Sequence, residues 1–427
     1  MDLWKWLYPG MGVKRWLLLV AVGVLIFSLG LNFVTGFQFL AYVRFLLSRL
    51  IFELVGLIPP GLARWAGFFL LLSGGFLIGL GIRQTIHSLF TTLLPPSDTP
   101  LVEILYEKRQ LDRGPRIVAI GGGTGLSSLL RGLKKYSSNL TAVVTVADDG
   151  GSSGRLREEL GMLPPGDIRN TLVALADKES LLEELFQYRW QRGEGLAGHT
   201  FGNLFIATLT EVLGDFQEAV RQSSRVLAIR GQVLPSTLTP VVLHATYADG
   251  SQGAGESKIP QGDKRIEQVW LEPENAPPVG DVIRAIGQAD MIVLGPGSLY
   301  TSILPNLLIP EIAMAVRRAP GIKVYVCNVM TQPGETTDYT VGDHVQAIID
   351  HVGPGLIDYV LANSQRVPAS LSRKYRAEGA AQVRVDRERL RRLGLELRLK
   401  PLMAESDLAR HDPEKLAQAI LEIWAQH

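Results

Sequence analysis

A chain of 427 residues is long enough for two or more domains. Its 43 Lys and Arg against 42 Asp and Glu leave a net charge of +1, so charge indicates no nucleic-acid partner; the single cysteine excludes an intramolecular disulfide framework and is compatible with a reducing compartment. The mean hydropathy of +0.15 is high for a soluble protein, and the excess is concentrated at the N-terminal end.

Residues 16–35 run without a charge for about twenty positions, the length a helix needs to cross a bilayer. No small-residue cleavage site follows, so they predict a transmembrane span rather than a signal peptide. Residues 65–82 form a second uncharged run closed by Arg83. Between them, residues 37–58 are apolar but carry Arg44, Arg49 and Glu53, charges expensive in lipid, which predicts an interfacial segment or a short hairpin element on the membrane surface, joining the two spans of a helical transmembrane hairpin. Lys5, Lys14 and Arg15 before the first span, and Arg83, Lys108, Arg109 and Arg113 after the second, fit both ends on the cytoplasmic side. The expected division is a membrane anchor over 1–95, a connector over 96–114 opened by the proline-rich LPPSDTP, and a nucleotide-binding domain over 115–427.

Residues 117–120 are a short apolar run, the pattern of a strand buried on both faces, and it ends in Gly121, Gly122, Gly123, Thr124 and Gly125. A helix follows, with Leu126, Leu129, Leu130 and Leu133 on one face. Strand, glycine turn and helix in this order bind phosphate, because free N–H groups and the positive end of the helix dipole point into the turn. GGGTG is neither a P-loop nor a G-x-G-x-x-G fingerprint, so a tight turn without a ligand stays open. Residues 142–147 predict a second strand ending in Asp148 and Asp149, the place from which an acidic residue reaches ribose hydroxyls; two adjacent carboxylates also suit a divalent ion such as Mg²⁺. A second Gly/Ser loop with Ser152 and Ser153 leads into another helix.

In LPPGDIRN, Asp167 and Asn170 are presented at the mouth of a site, or Asp167 only caps the helix over 168–176. Residues 182–190 predict an amphipathic helix. In GHTFGN, glycines flank His199, and Asn203 opens a further helical run, so both are site candidates beside a structural reading of the histidine. Residues 216–227 predict a helix, 241–247 and 266–271 strands of a smaller β-rich portion, and 248–263 a glycine-rich mobile loop; Lys264 and Arg265 read as a solvated pair. After a helix over 282–287, residues 291–294 predict a buried strand ending in GPGSLYTS. There Gly295, Gly297, Ser298 and Thr301 repeat the logic of the first turn, while Tyr300 either stacks on a ligand ring or packs under the loop. A strand over 324–329 contains Cys327, in a setting that does not suit a reactive thiol, and brings Asn328 and the polar TQPGET to a strand C-terminal end. Residues 357–362 predict a last strand, and Asp412 and Pro413 open a final helix.

The ordered motifs GGGTGLS, ADDGGSSGRLR, PPGDIRN, GHTFGN and GPGSLYTS resemble the YvcK/CofD-like family, the gluconeogenesis-factor group related to 2-phospho-L-lactate transferase, from about Pro115 to the C-terminus. The resemblance implies a UDP-N-acetylglucosamine-type ligand and an influence on carbon use, peptidoglycan synthesis and cell shape. It also implies roles for Tyr375 in KYRAEGA and Arg410 in ARHDPEKLA, since an aromatic and an arginine at the matching motifs are associated with UDP-sugar binding.

Alternating strands and helices predict a doubly wound, mainly parallel α/β sheet, Rossmann-like, with its site at the strand C-termini. The functional readings are a membrane-anchored nucleotide-sugar-binding regulator and a Mg²⁺-dependent transferase of phosphorus-containing groups; NAD is a third ligand. No residue pair forms a convincing nucleophile and base. Further partners expected are cell-wall synthesis proteins and a second copy in a homodimer.

Overall fold

The computed structural model describes residues 41, 42, 45, 46, 106 and 109–427, apart from 178–180, 262–263 and 405. The expected spans over 16–35 and 65–82, and nearly all of the segment over 37–58, lie outside the described residues. Among the described residues no single helix is long and apolar enough to cross a membrane. Two units divide the chain, Met1–Arg109 and Gln110–His427, and the second carries the fold.

Within it the chain runs β1 (Ile117–Gly121), α1 (Gly123–Leu133), β2 (Leu140–Val144), α2 (Gly151–Leu160), α3 (Gly166–Leu175), α4 (Leu181–Gln187), α5 (Phe201–Leu213), α6 (Phe216–Val226) and β3 (Gln232–Pro235). An antiparallel insertion follows, β4 (Val242–Tyr247), β5 (Gln252–Ala254) and β6 (Ile266–Glu272), with β4 in the middle. The chain then returns through α7 (Gly280–Gln288) and β7 (Met291–Leu294), a π-helical turn over Leu299–Ile303, α8 (Leu304–Leu307) and α9 (Pro310–Arg318). It ends with β8 (Ile322–Val326), α10 (Val341–Val352), β9 (Tyr359–Asn363), α11 (Ala369–Ala377), α12 (Arg387–Arg392), β10 (Glu396–Lys400) and α13 (Pro413–Ala425).

Seven parallel strands form the main sheet in the order β10-β9-β8-β7-β1-β2-β3. Ile117 lies opposite Leu140 on one side and Met291 on the other, so β1 is an interior strand. All residues of β1, β2, β7 and β8 are buried, as a parallel sheet covered on both faces requires. Winding proceeds outward from β1 through β2 to β3, then restarts at β7 on its other side and proceeds to β10. The reversal between β1 and β7 opens a crevice at their C-terminal ends, where doubly wound sheets take ligands.

Several expected bounds move. The strand predicted over 142–147 is Leu140–Val144; the Thr145 N–H bond to the Gly121 carbonyl at 3.1 Å is the last of its ladder with β1. The helix predicted over 182–190 stops at Gln187, and Arg189 leaves it to bridge Thr200. The strand predicted over 324–329 is Ile322–Val326, so Asn328 already stands in the loop beyond. Asp412 caps α13 as expected, accepting from the N–H groups of Glu414 and Lys415 at 2.9 Å each.

Candidate functional site

The two glycine turns meet at the reversal. α1 starts at Gly122, which has no side chain to cap it, and has no acidic residue of its own in its first turn; the carboxylate that meets its first N–H comes from Asp167, across the gap. A Cβ on Gly125 would lie 2.4 Å from the Pro296 carbonyl oxygen, and one on Gly122 would lie 2.5 Å from Asp167 Oδ2. Only glycine permits these approaches, so the turn after β1 is pressed against both the turn after β7 and the start of α3. The second turn is braced from behind. Gly297 N–H donates to Asn328 Oδ1 at 3.2 Å, Asn328 Nδ2 returns a bond to the Gly297 carbonyl at 2.8 Å, and Gln332 Nε2 donates to Ser298 Oγ at 2.7 Å. Below it the buried Glu335 carboxylate accepts from Tyr300 N–H at 3.2 Å and Thr301 Oγ1 at 3.3 Å.

Both turns open on one cleft of about 1010 Å³. Gly122, Gly123, Thr124 and Gly125 line it from the first turn, and Gly297, Ser298 and Thr301 from the second. Asp148, Asp167, Asn170, Asn328, Tyr375 and Arg410 line it too, so residues more than 280 positions apart in sequence share one wall. The Tyr375 hydroxyl accepts from Ala409 N–H at 3.2 Å and so fixes the segment that carries Arg410.

The remaining candidates stand elsewhere. Gly121 closes β1, and Gly295, at φ +78°, bends the chain out of β7 behind the cleft. Tyr300 is 2% exposed, its hydroxyl 2.8 Å from that of Tyr339, so it packs under the loop and presents no ring for stacking. Ser152, His199 and Asn203 form a buried trio: Ser152 Oγ is 2.9 Å from His199 Nδ1 and accepts from Asn203 Nδ2 at 3.0 Å. Ser153 Oγ accepts from Gly166 N–H at 3.1 Å and ties α2 to α3. Asp167 does not cap α3; it lies inside the first turn, where it accepts from Gly123 N–H.

Asp148 and Asp149 turn apart. Asp148 faces the cleft and accepts from Gly150 N–H at 2.9 Å, whereas Asp149 reaches the opposite loop and accepts from Ser257 N–H at 2.8 Å. The pair therefore does not fit the shared divalent ion expected of it. Among the described residues no group of three or more His, Cys, Asp or Glu side chains is arranged to hold a metal.

Glu256, from the glycine-rich loop, lines the cleft and was not anticipated, since nothing periodic marks its position. Burial, then the charges of Asp148 and Asp167, push its carboxyl up to about 8. Burial, then Asp148, raise Asp167 to about 6, and burial raises Glu335 to about 7. Arg131 and Arg410, together with Ser128 and His411, line the cleft as well. Arg131 reads from helical periodicity as a solvated residue, and His411 had a signal only in its adjacency to Arg410.

Residues 117–403 match the family model described as 2-phospho-L-lactate transferase CofD. A Bacillus subtilis protein named gluconeogenesis factor is 53% identical over 310 residues, covering 72% of this chain and 98% of its own. A Nostoc sp. relative is 48% identical over 421 residues, 98% of this chain and 92% of its own. The crystal structure of a Bacillus halodurans protein superposes with a TM-score of 0.71 at 49% identity, covering 72% of this chain and all of that one. The Bacillus halodurans chain thus shares the mainly parallel sheet, and the chain belongs to the CofD-like family, in its YvcK-type gluconeogenesis-factor group.

Proposed function

We propose that the cleft binds a nucleotide-sugar of the UDP-N-acetylglucosamine type and that the chain is a ligand-responsive regulator of carbon metabolism, peptidoglycan synthesis and cell shape. In this reading residues 1–95 anchor it in the cell membrane and the C-terminal unit works in the cytoplasm. The observation that carries the reading is the contact of Gly125 with Pro296, which puts two backbone turns and the start of α1 at one point. Such a point fits a diphosphate, held by other N–H groups of the two turns and by the hydroxyl of Thr124. Tyr375 and Arg410 on the same wall suit the groups that flank it. The name gluconeogenesis factor, borne by the Bacillus subtilis relative, supports a role in carbon use.

A second reading, transfer of a phosphate-bearing group to an acceptor alcohol, draws on the description of the matching family model and on the acidic end of the cleft. There Asp167 and Glu256, with raised affinity for protons, are suited to exchange one with an acceptor hydroxyl. Calorimetric titration with UDP-sugars, GDP and NAD, with and without Mg²⁺, followed by phosphorus NMR of the mixtures, separates the two. Saturable UDP-sugar binding with the donor intact supports the regulator. Consumption of the donor overturns it in favour of the transferase, and absence of any nucleotide binding overturns both.

A further inference from the structure

Charge is unevenly placed along the chain. Residues 366–400 hold eleven Lys and Arg against four Asp and Glu, while the whole chain holds 43 against 42, so everything outside this segment is acidic by six charges. The segment lies at one edge of the main sheet, as α11, α12 and the edge strand β10 with the loops beside them. Three of its cations are matched within the fold: Arg389 by Asp343, Arg398 by Glu396 and Lys400 by Glu422. The other eight are exposed, and among the described residues none of their side chains has a hydrogen bond or ion pair. Arg373, Lys374 and Arg376 stand on α11, and Arg391 and Arg392 at the end of α12. Arg384 and Arg387 line one shallow cavity with Ser364 and with Leu399 of β10.

Guarding an edge strand against another chain needs charges on the strand itself, which Glu396, Arg398 and Lys400 already supply. Unmatched cations on the helices and loops beside it exceed that need; they repel one another and attract a polyanionic surface. Nucleic acid and an anionic bilayer both fit that description. Single-stranded nucleic acid is gripped by rings that stack on its bases, and the one aromatic residue of the segment, Tyr375, is already engaged. It packs in a small apolar cluster with Val329, Met330 and Val367, and its hydroxyl accepts from Ala409 N–H at 3.2 Å. A bilayer is the surface that the chain's own sequence supplies, since residues 16–35 and 65–82 are each uncharged and long enough to cross one. Clusters of about four to eight cations on a membrane-attached chain are drawn to acidic headgroups, each adding about fivefold to attachment.

We propose that the face formed by α11, α12 and the loop between them docks on an anionic phospholipid leaflet. The inference rests on the membrane anchor of the reading above and adds to it which side of the C-terminal unit meets lipid. On its own such a patch attaches weakly and is screened by salt; on a chain already held in the bilayer the same contact is intramolecular, and its effective concentration is high. α11 also supplies Tyr375 to the cleft, so docking brings that wall of the cleft to the headgroups.

Hydrogen exchange of the full chain tests it, in vesicles of phosphatidylcholine alone and in vesicles with one third phosphatidylglycerol. Amides of residues 369–392 are expected to exchange at least about fivefold slower in the anionic vesicles, a difference that vanishes at high salt. The combined variant Arg387→Gln, Arg391→Gln, Arg392→Gln loses most of that protection, and Lys at the same three positions keeps it. Both retain the nucleotide affinity of the wild type, since none of the three residues lines the cleft. Equal exchange in the two kinds of vesicle, or protection that survives the loss of the three charges, overturns the inference and leaves the nucleotide reading intact. So does protection by polyuridylate in place of the anionic lipid, which gives the surface to nucleic acid. A chain that leaves neutral vesicles but stays on anionic ones at low salt overturns the anchor and supports the docking face; one that stays on neither overturns both.

Discussion

Glu256 faces Asp148 and Asp167 across the acidic end of the cleft, and its carboxyl, pushed up to about 8, has the largest such rise among these acids. A group whose folded pKa exceeds its unfolded value holds a proton that unfolding releases. Its stabilising contribution is complete below the unfolded carboxylate range and is lost as pH rises through the folded value. Asp167, at about 6, and Glu335, at about 7, carry the same sign, so the three together span roughly pH 4 to 8. Buried His199, His344, His351 and His411, held below the ordinary imidazole range by burial, carry the opposite sign at the acid end of that window, so the contribution of Glu256 is read from a variant against the wild type at each pH. Glu256→Gln fixes the neutral form and removes the most alkaline part of that slope, raising the melting temperature at pH 8.5 by roughly 2–4 °C with little change at pH 5. Scanning calorimetry of both proteins at the two pH values decides it; parallel slopes would remove Glu256 from the account. Sequence reading had no access to this residue. Its loop shows no periodicity, and it is drawn to the site by Asp149, which spends its carboxylate on Ser257 N–H.

At the level of elements, the turns after β1 and β7 function as one object. Gly125→Ala drives a methyl to within 2.4 Å of the Pro296 oxygen, a backbone atom that cannot move aside cheaply. The expected cost is about 1–3 kcal/mol of stability, seen in urea unfolding. The parting of the two turns should weaken nucleotide and pyrophosphate equally. Gly280→Ala, where an added Cβ meets nothing within 4 Å, is the control and should leave binding unchanged. Both turns were legible in the sequence because buried strands announce themselves: residues 117–120 and 291–294 are unbroken apolar runs, each stopped by glycine. Edge strands do not. β3 is four residues long, begins with Gln232 and ends with Pro235. β10 alternates Glu396, Arg398 and Lys400 with leucines; its Arg398 lies 2.7 Å from Glu396 and 5.5 Å from the Tyr359 ring centre, charges that keep an open edge from pairing with another chain. Tyr300 and Asp149 misled for a related reason. A sequence shows that a polar or aromatic group stands next to a turn, but the direction it takes depends on the partner across the gap, here Tyr339 and Ser257.

At the scale of the whole molecule, the unit from Gln110 onward contains, among the described residues, the seven-stranded sheet, both turns and every residue lining the cleft. The Bacillus halodurans crystal chain corresponds to 72% of this one and is covered in full, so in that protein the equivalent of this unit is sufficient for the fold. Gln110–His427 expressed alone is accordingly expected to unfold in one cooperative step and to bind nucleotides with the affinity of the full chain within about twofold, since no cleft residue is removed. The Nostoc relative, aligned over 98% of this chain, extends the likeness through the N-terminal region as well. If residues 16–35 and 65–82 are spans, each carries enough apolar length to hold the full chain in a bilayer. Fractionation of expressing cells then puts the full chain in the membrane pellet, resistant to high salt and released by detergent, while Gln110–His427 stays in the supernatant. Salt-sensitive release of the full chain would replace insertion with surface attachment, and a full chain found in the supernatant would remove the anchor from the proposal while leaving the cleft and its ligand as they are.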